Sequence, residues 1–340
     1  MADEKAAEAA RNALEASRRA AMDLVQGAGA ARTNAMLGRS AKALEERLRR
    51  IAPSLGEETF TVVQLRAALA QVKQVLKEVS LPMLKDAVLD TATQAAEKSA
   101  KGTVQYLKDA DKAFRGVGEQ PIALREATML DAGVQGAKAS VLRRLATGVQ
   151  AVKGKQAGPG ILSRYGMETV KQFEQELQSG LIAKKSWNEM AEDITTHSPF
   201  LQGKPKWWAH RIVRTECMGA ANKSNHEAIK EAHKQLGGML QILSATFDDR
   251  TGADSYAVHG QVRRVDEPFD SWFGQYEHPP NRPNDREVVV PHRARWPLPD
   301  YLEQMSDDEV EERWRELGNK REVPERPLMS TVPGFGGYEG

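Results

Sequence analysis

Cysteine is almost absent from the 340 residues, since Cys217 is the only one. A single cysteine excludes an intrachain disulfide and any zinc site built from several thiolates. Folding in a reducing cytoplasm is therefore expected. No apolar run approaches the roughly 18 residues that a membrane span needs. The acidic, Ala-rich N-terminus lacks the pattern of a signal peptide, so we expect no membrane partner.

Motifs for catalysis and cofactor binding are also missing. Neither phosphate-binding glycine motif occurs, and there is no serine nucleophile elbow. Cys217 lies in a predicted helix, where a small buried residue is favoured over a nucleophile. His226 and His233 are seven residues apart, whereas a helical zinc pair needs a spacing of four. We therefore expect no enzyme activity, no cofactor and no metal.

Charge and aromatic residues divide the chain into two unlike halves. The net charge is only +1, from 48 Lys and Arg against 47 Asp and Glu. Residues 1–160 carry 25 basic and 18 acidic side chains, whereas the remaining 180 carry 23 and 29. Only three of the 20 aromatic residues precede residue 160. Because aromatic residues supply much of the area in a compact core, the back half is predicted to be the compact one.

The front half is predicted to be Ala-rich helix. Helical spacing covers 8–25 and 40–51, with a loose connection from Gly27 to Gly38. Thr61 and Gln64 have capping-box spacing ahead of an apolar seam formed by Val62, Leu65, Leu69, Val72, Leu76, Val79 and Met83. The seam is interrupted by Pro82 and favours a helix of an antiparallel bundle over a coiled coil.

The back half is predicted to begin with helices and to end with strands and loops. Short strands are expected at 239–247, 262–265 and 287–291, followed by a helix capped by Ser306 and Glu309. The predicted fold is α+β and predominantly helical. It has an elongated, net basic helical arm or bundle (1–158), a compact module of helices and short strands (159–320) and a Pro/Gly-rich tail (321–340) that is extended or disordered.

Two basic stretches are candidates for contact with nucleic acid. Residues 132–163 contain five basic residues and no acid, and residues 204–214 mix cations with tryptophan. An amphipathic helix with Trp208 and Ile212 facing inward also accounts for the second stretch. The candidate contacts are Lys138, Arg143, Arg144, Lys153, Lys155, Lys204, Lys206 and Arg211.

The segment from Phe247 to Pro291 carries the most informative motifs. It follows a helix with R-T-E and A-N, and contains D-D-R-T, H-G, D-E-P-F, a tryptophan, P-P-N and N-D-R in that order. This order resembles the phage head morphogenesis family, the Mu F-like minor head proteins, over about residues 160–292. The matching positions are Arg214, Thr215, Glu216, Asn222, Asp249, Arg250, Thr251, His259, Gly260, Asp266, Pro268, Phe269, Trp272, Pro279, Pro280, Asn281, Asn284 and Arg286.

The chain departs from the family where many members carry cysteines. The corresponding positions are Gly252, Ser255, Asp285 and Glu287, so no thiolate remains for a metal. We expect polar pairing instead, with Arg250 or Arg286 bonded to Asp285, Glu287 or Asp249. A hard-ion site of His259, Asp285 and Glu287 is a weaker alternative.

The motif residues have structural interpretations. Gly260 suits a turn with positive φ, Pro279-Pro280 an extended segment, and Phe269 with Trp272 anchors for the loops. Arg214 and Glu216 are expected to tie their helix to these loops.

The resemblance implies a minor head protein that acts in head assembly at or near the portal vertex. It would be located in the virion after assembly in the host cytoplasm. The implied partners are the portal and major capsid proteins, with packaged double-stranded DNA as a further candidate. A phage-delivered effector or enzyme of nuclease or peptidase type, using the loops from Phe247 to Glu287, is the alternative.

Overall fold

The computed structural model describes residues 4–51, 61–116, 118–147, 159–196, 200, 202–280, 282, 285–319 and 321–332. Over these residues the fold is α+β and predominantly helical, as predicted. The helices are α1 (Glu4–Leu24), α2 (Ala30–Ile51), α3 (Val62–Val75), α4 (Leu81–Phe114), α5 (Glu126–Thr147), α6 (Ile161–Ile182), α7 (Trp187–Thr196), α8 (Lys204–Leu236), α9 (Ala253–Val258) and α10 (Asp307–Glu316).

The predicted loose connection from Gly27 to Gly38 is wrong. Val25–Gly29 forms a π-helical turn, and α2 begins directly after it at Ala30. A glycine in the interior of a helix lowers the stability of the helix by only about 1 kcal/mol relative to alanine. Met36 and Leu37 are buried on α2, and the burial of each contributes more than that. Apolar packing therefore outweighs the glycines.

Pro82 does not end a helix either. A second π-helical turn, Leu76–Ser80, follows α3, and α4 begins at Leu81. Val75 and Leu81 on either side of this turn have right-handed helical backbone, and the N–H of Leu81 donates to the carbonyl of Leu76. The helix therefore continues through Pro82, and the π-helical turn lies where a proline removes a hydrogen bond and its ring crowds the preceding turn. The capping box of Thr61 and Gln64 is confirmed at the start of α3.

Three short strands form one antiparallel sheet. They are β1 (Met239–Ser244), β2 (Val262–Arg264) and β3 (Val288–Arg293), in the order β2-β1-β3. In the register, Ile242 of β1 lies opposite Val262 on one side and Val290 on the other. All six residues of β1 are buried, as expected for a central strand covered on both faces.

The chain divides into two compact units. The first unit contains residues 1–24, 92–140 and 215–340, and the second contains 25–91 and 141–214. None of these borders coincides with the division at residue 158 that the sequence suggested. The predicted division was drawn from composition, whereas the units follow from which helices pack together.

The first unit is built from three segments of the chain because all three contribute side chains to one hydrophobic core. Ala10 and Leu14 of α1, and Val104 and Leu107 of α4, belong to the same buried cluster as the strands β1 and β3. A back half that begins at residue 159 would lack these side chains. We therefore do not expect it to fold with an intact core.

The second unit is a group of helices. α3 packs against α2 and α6, in agreement with the bundle interpretation of the seam, although Val62 itself is exposed. Gly180 lies in the last turn of α6, which ends at Ile182. A Cβ at Gly180 would lie 1.7 Å from the sulfur of Met190, so the glycine permits close packing of α7.

Candidate functional site

The motif residues lie around residues 245–287, which we call the platform and which connect β1 to β3. Asn222 of α8 is fully buried and binds the start of β3 through both ends of its amide. Its Nδ2 donates to the carbonyl of Glu287 at 2.9 Å, and its Oδ1 accepts from the N–H of Val289 at 3.1 Å. The side chain thus replaces a neighbouring strand for these two backbone groups.

His259 and Gly260 form a tight corner next to β1. The Nδ1 of His259 accepts from the N–H of Ala245 at 3.0 Å, so a neutral ring carries its proton on Nε2. Gly260 has φ +76 and donates to the carbonyl of Leu243 at 2.8 Å. A Cβ there would lie 2.8 Å from the carbonyl oxygen of Leu302. The predicted positive φ at Gly260 is therefore confirmed, and both residues fix the backbone.

The partner predicted for the motif arginines is wrong. Arg286 forms a two-pronged ion pair with Asp248, with one N···O distance of 2.6 Å, and also donates to Thr251. Arg250 pairs with the same carboxylate at 3.2 Å. Of the three expected partners, Asp285, Glu287 and Asp249, the last is exposed, and its carbonyl accepts from Arg313. The guanidinium of Arg286 holds the pKa of Asp248 well below its ordinary range.

Asp285 and Glu287, the two neighbours of Arg286 in the chain, are buried, and so is Asp254. Arg282 forms an ion pair with Asp254 at 2.6 Å, and Ser255 hydrogen-bonds to Glu287. Burial, reinforced by the charge of Asp285, raises the pKa of Glu287 well above its ordinary value. Asp285 and Glu287 line a cavity of about 30 Å³, which holds about one water molecule.

The expected platform anchors differ in their surroundings. Phe269 is fully buried in the core of the first unit and packs on Tyr276 with ring centroids 6.0 Å apart. Trp272 stays outside the core and stacks edge-to-face on Trp314. The bond between Pro279 and Pro280 is cis. Asn284 lies outside the described residues.

The residues of the R-T-E motif on α8 lie in two different environments. Glu216 is buried and belongs to the first unit, whereas Arg214 is half-buried and is the last residue of the second. Cys217 is buried as predicted. His226 is buried with its Nδ1 2.9 Å from Gln241, and burial lowers the pKa of His226 to about 4. His233 is exposed, so the two histidines occupy unlike environments.

No cluster of three or more His, Cys, Asp or Glu residues with the geometry to hold a metal ion occurs in the part of the chain that the structure describes. His259, Asp285 and Glu287 therefore do not form the hard-ion site that was the weaker alternative.

The candidate nucleic-acid contacts lie on α5 and α8. Lys138 belongs to the first unit, and Arg143, Arg144, Lys204, Lys206 and Arg211 belong to the second. Lys153 and Lys155 lie outside the described residues.

The first turns of α8 form a basic, aromatic surface on the second unit. Trp207 is 53% exposed, and the guanidinium of Arg211 lies 4.8 Å from the centre of its ring. The inward positions are Ala209 and Val213, whereas Trp208 is half-buried.

Two features of this site had no separate signal in the sequence. Asp248 directly precedes Asp249, which is the position that matches the family motif. That the side chain of Asp248 contacts Arg286 follows only from the tertiary structure. The side chain of Arg263 is 1% exposed and pairs with Asp270 at 2.9 Å, whereas the sequence indicated only that Arg263 lies in a short strand.

No described helix is long and apolar enough to cross a membrane. Comparisons with family models, curated proteins and solved structures find no match to this chain.

Proposed function

We propose that the protein is a phage minor head protein that acts through protein contacts in head assembly, with portal and major capsid proteins as partners. The resemblance of the Phe247–Pro291 motifs to the head morphogenesis family is the basis of this proposal. The observation that supports it best is the role of the motif residues as structural joints. Asn222, His259 and Arg286 each hold backbone or a neighbouring loop in place.

A structural role also agrees with the space available beside the buried acidic side chains. A cavity of about 30 Å³ is far smaller than the several hundred Å³ of a typical ligand site. Asp254 is already paired with Arg282. We therefore favour protein binding over the nuclease or peptidase alternative.

The direct test is assembly with the proposed partners. The full chain is co-expressed with a phage portal protein and major capsid protein from the same genome, and the particles are purified and analysed for the protein. We expect it in the particles and in complexes with the portal protein. If it is missing from particles that assemble normally and does not co-purify with either partner, the proposal fails.

DNA contact by the second unit is a separate part of the proposal. Residues 202–215 carry four cations and no acid, and the exposed Trp207 offers a face for stacking. The affinity of the full chain for duplex DNA is measured over a salt series. Replacing Lys204, Lys206 and Arg211 by alanine should reduce the slope of log affinity against log salt by about 2 to 3.

The control removes three cations from α4, at the exposed residues Lys98, Lys101 and Lys112. Equal losses in both triple variants would show a response to net charge alone. That result, or an unchanged slope in the α8 variant, would contradict DNA contact at this surface.

A further inference from the structure

Two tryptophans of the first unit line an open groove, which we call the tryptophan groove. Trp272 and Trp314 stack edge-to-face with ring centroids 5.5 Å apart. The groove has a volume of about 570 Å³ and is also lined by Phe273, Pro324 and Pro327. This volume lies in the range of several hundred Å³ that is typical of binding sites. The groove is therefore large enough to hold a side chain and part of the backbone of another molecule.

The walls of the tryptophan groove are held in place by hydrogen bonds within the first unit. Both indole N–H groups donate to backbone carbonyls of residues 321–325, at 2.9 and 3.0 Å. The N–H of Val262 donates to the carbonyl of Met329 at 2.8 Å, which attaches the same segment to β2. Because the walls are already positioned, a ligand would not have to order them, and the entropic cost of binding is lower.

The aromatic rings of the groove suit a cationic ligand. Since the indole N–H groups are occupied, a ligand of Trp272 and Trp314 meets their ring faces. The face of an aromatic ring carries partial negative charge and attracts a nearby cation. The neighbouring Phe273, which is 61% exposed, shows this contact within the chain, because the guanidinium of Arg282 lies 5.6 Å from its ring centre.

The charge around the groove favours the same kind of ligand. Asp270 and the exposed Glu325 both line the groove. Asp270 already accepts from Arg263 at 2.9 Å, so Glu325 is the better placed of the two to meet a ligand. Residues 300–325, which include α10, contain ten acidic and four basic residues. This excess of negative charge attracts cationic partners and repels anionic ones such as nucleic acid.

From this combination we propose that the tryptophan groove binds an arginine side chain from an extended segment of a partner protein. The guanidinium stacks on an indole face, and its charge lies close to Glu325. Arginine suits the groove better than lysine, because its planar group stacks on aromatic rings and is more weakly hydrated than an ammonium group. Grooves lined by aromatic residues also accommodate extended, proline-containing backbone. The proposal does not depend on the proposed function.

The test compares two peptides that differ only in charge. A fluorescein-labelled peptide of four Arg-Pro repeats is titrated with the full-length protein, and binding is followed by fluorescence anisotropy. In the second peptide each arginine is replaced by citrulline, which has nearly the same shape but no charge. We expect saturable binding of the arginine peptide and roughly tenfold weaker binding of the citrulline peptide. Equal affinities, or no saturable binding of the arginine peptide, would overturn the proposal.

Substitutions on the protein test whether the peptide binds in the groove. Glu325→Gln removes the nearby charge and should weaken binding of the arginine peptide about threefold. The matched control Glu322→Gln makes the same change at an exposed residue three positions earlier, outside the groove lining, and should leave the affinity nearly unchanged. Trp272→Leu removes one ring and should weaken binding about fivefold, with the far-UV circular dichroism spectrum as a check of folding.

Two results would place the binding elsewhere. Equal losses in Glu325→Gln and Glu322→Gln would show a response to net charge alone. An unchanged affinity in Trp272→Leu would show that the indole ring does not contact the peptide. Either result contradicts the proposal.

Discussion

Asn222 offers the sharpest perturbation of the platform, because one side chain satisfies two backbone groups of β3. The substitution Asn222→Ala leaves the carbonyl of Glu287 and the N–H of Val289 buried without these partners. Each such group costs about 1–3 kcal/mol. We expect the opening free energy of β3 to fall by about 3 kcal/mol, a substantial part of the 5–15 kcal/mol that typically holds a domain folded.

Hydrogen exchange of the peptide that covers β3 is the appropriate assay, because a chain with two compact units need not unfold in one step. A loss of about 3 kcal/mol should speed the exchange of the Val289 amide by about 100-fold, since each 1.4 kcal/mol corresponds to a factor of ten. The expected acceleration is local to β3 and to the residues that pack on it.

The matched control lies on the same helix. Lys234 is exposed and forms only a surface ion pair with Glu231, so Lys234→Ala should cost less than about 0.5 kcal/mol. An exchange rate at Val289 that changes less than about threefold in Asn222→Ala, with α8 still helical, would refute the reasoning. It would mean that water or a shifted backbone satisfies both groups.

Three further perturbations test the platform. The raised pKa of Glu287 means that its contribution to stability is full below its ordinary pKa of 4.5 and is lost as the pH rises through the folded value. Thermal unfolding of Glu287→Gln should show less alkaline destabilisation than the wild type, and parallel pH curves would contradict this. Arg286→Lys loses the two-pronged contact with Asp248, which is about one third exposed, so urea unfolding should show a loss of about 1 kcal/mol; an equal loss in Arg250→Lys would argue against it. Gly260→Ala meets both a positive φ and the carbonyl of Leu302, and should lower the stability by about 2 kcal/mol or more; an unchanged urea midpoint would disprove the steric argument.

The sequence determined the local elements of this protein. The capping boxes at Thr61 and Ser306 are present as predicted, and α8 ends at Leu236, directly before the positive-φ residues Gly237 and Gly238. These features depend on residues a few positions apart, so their chemistry can be read from the chain directly. The same holds for the positive φ of Gly260 and for the three short strands.

Tertiary structure decided everything that depends on distant partners. The assembly of the first unit from three segments, the pairing of Arg286 with Asp248, and the hydrogen bond from Trp272 to the carbonyl of Glu325 all join residues more than thirty positions apart. Because of long-range packing, the chain also remains helical through the glycines near Ala30. Local propensities differ by at most about 1 kcal/mol at such positions, whereas the burial of a large apolar side chain contributes about 1.5–3 kcal/mol. For that reason the sequence specified the caps, the Gly260 turn and the short strands, and the packing specified where helices continue and which elements form a unit.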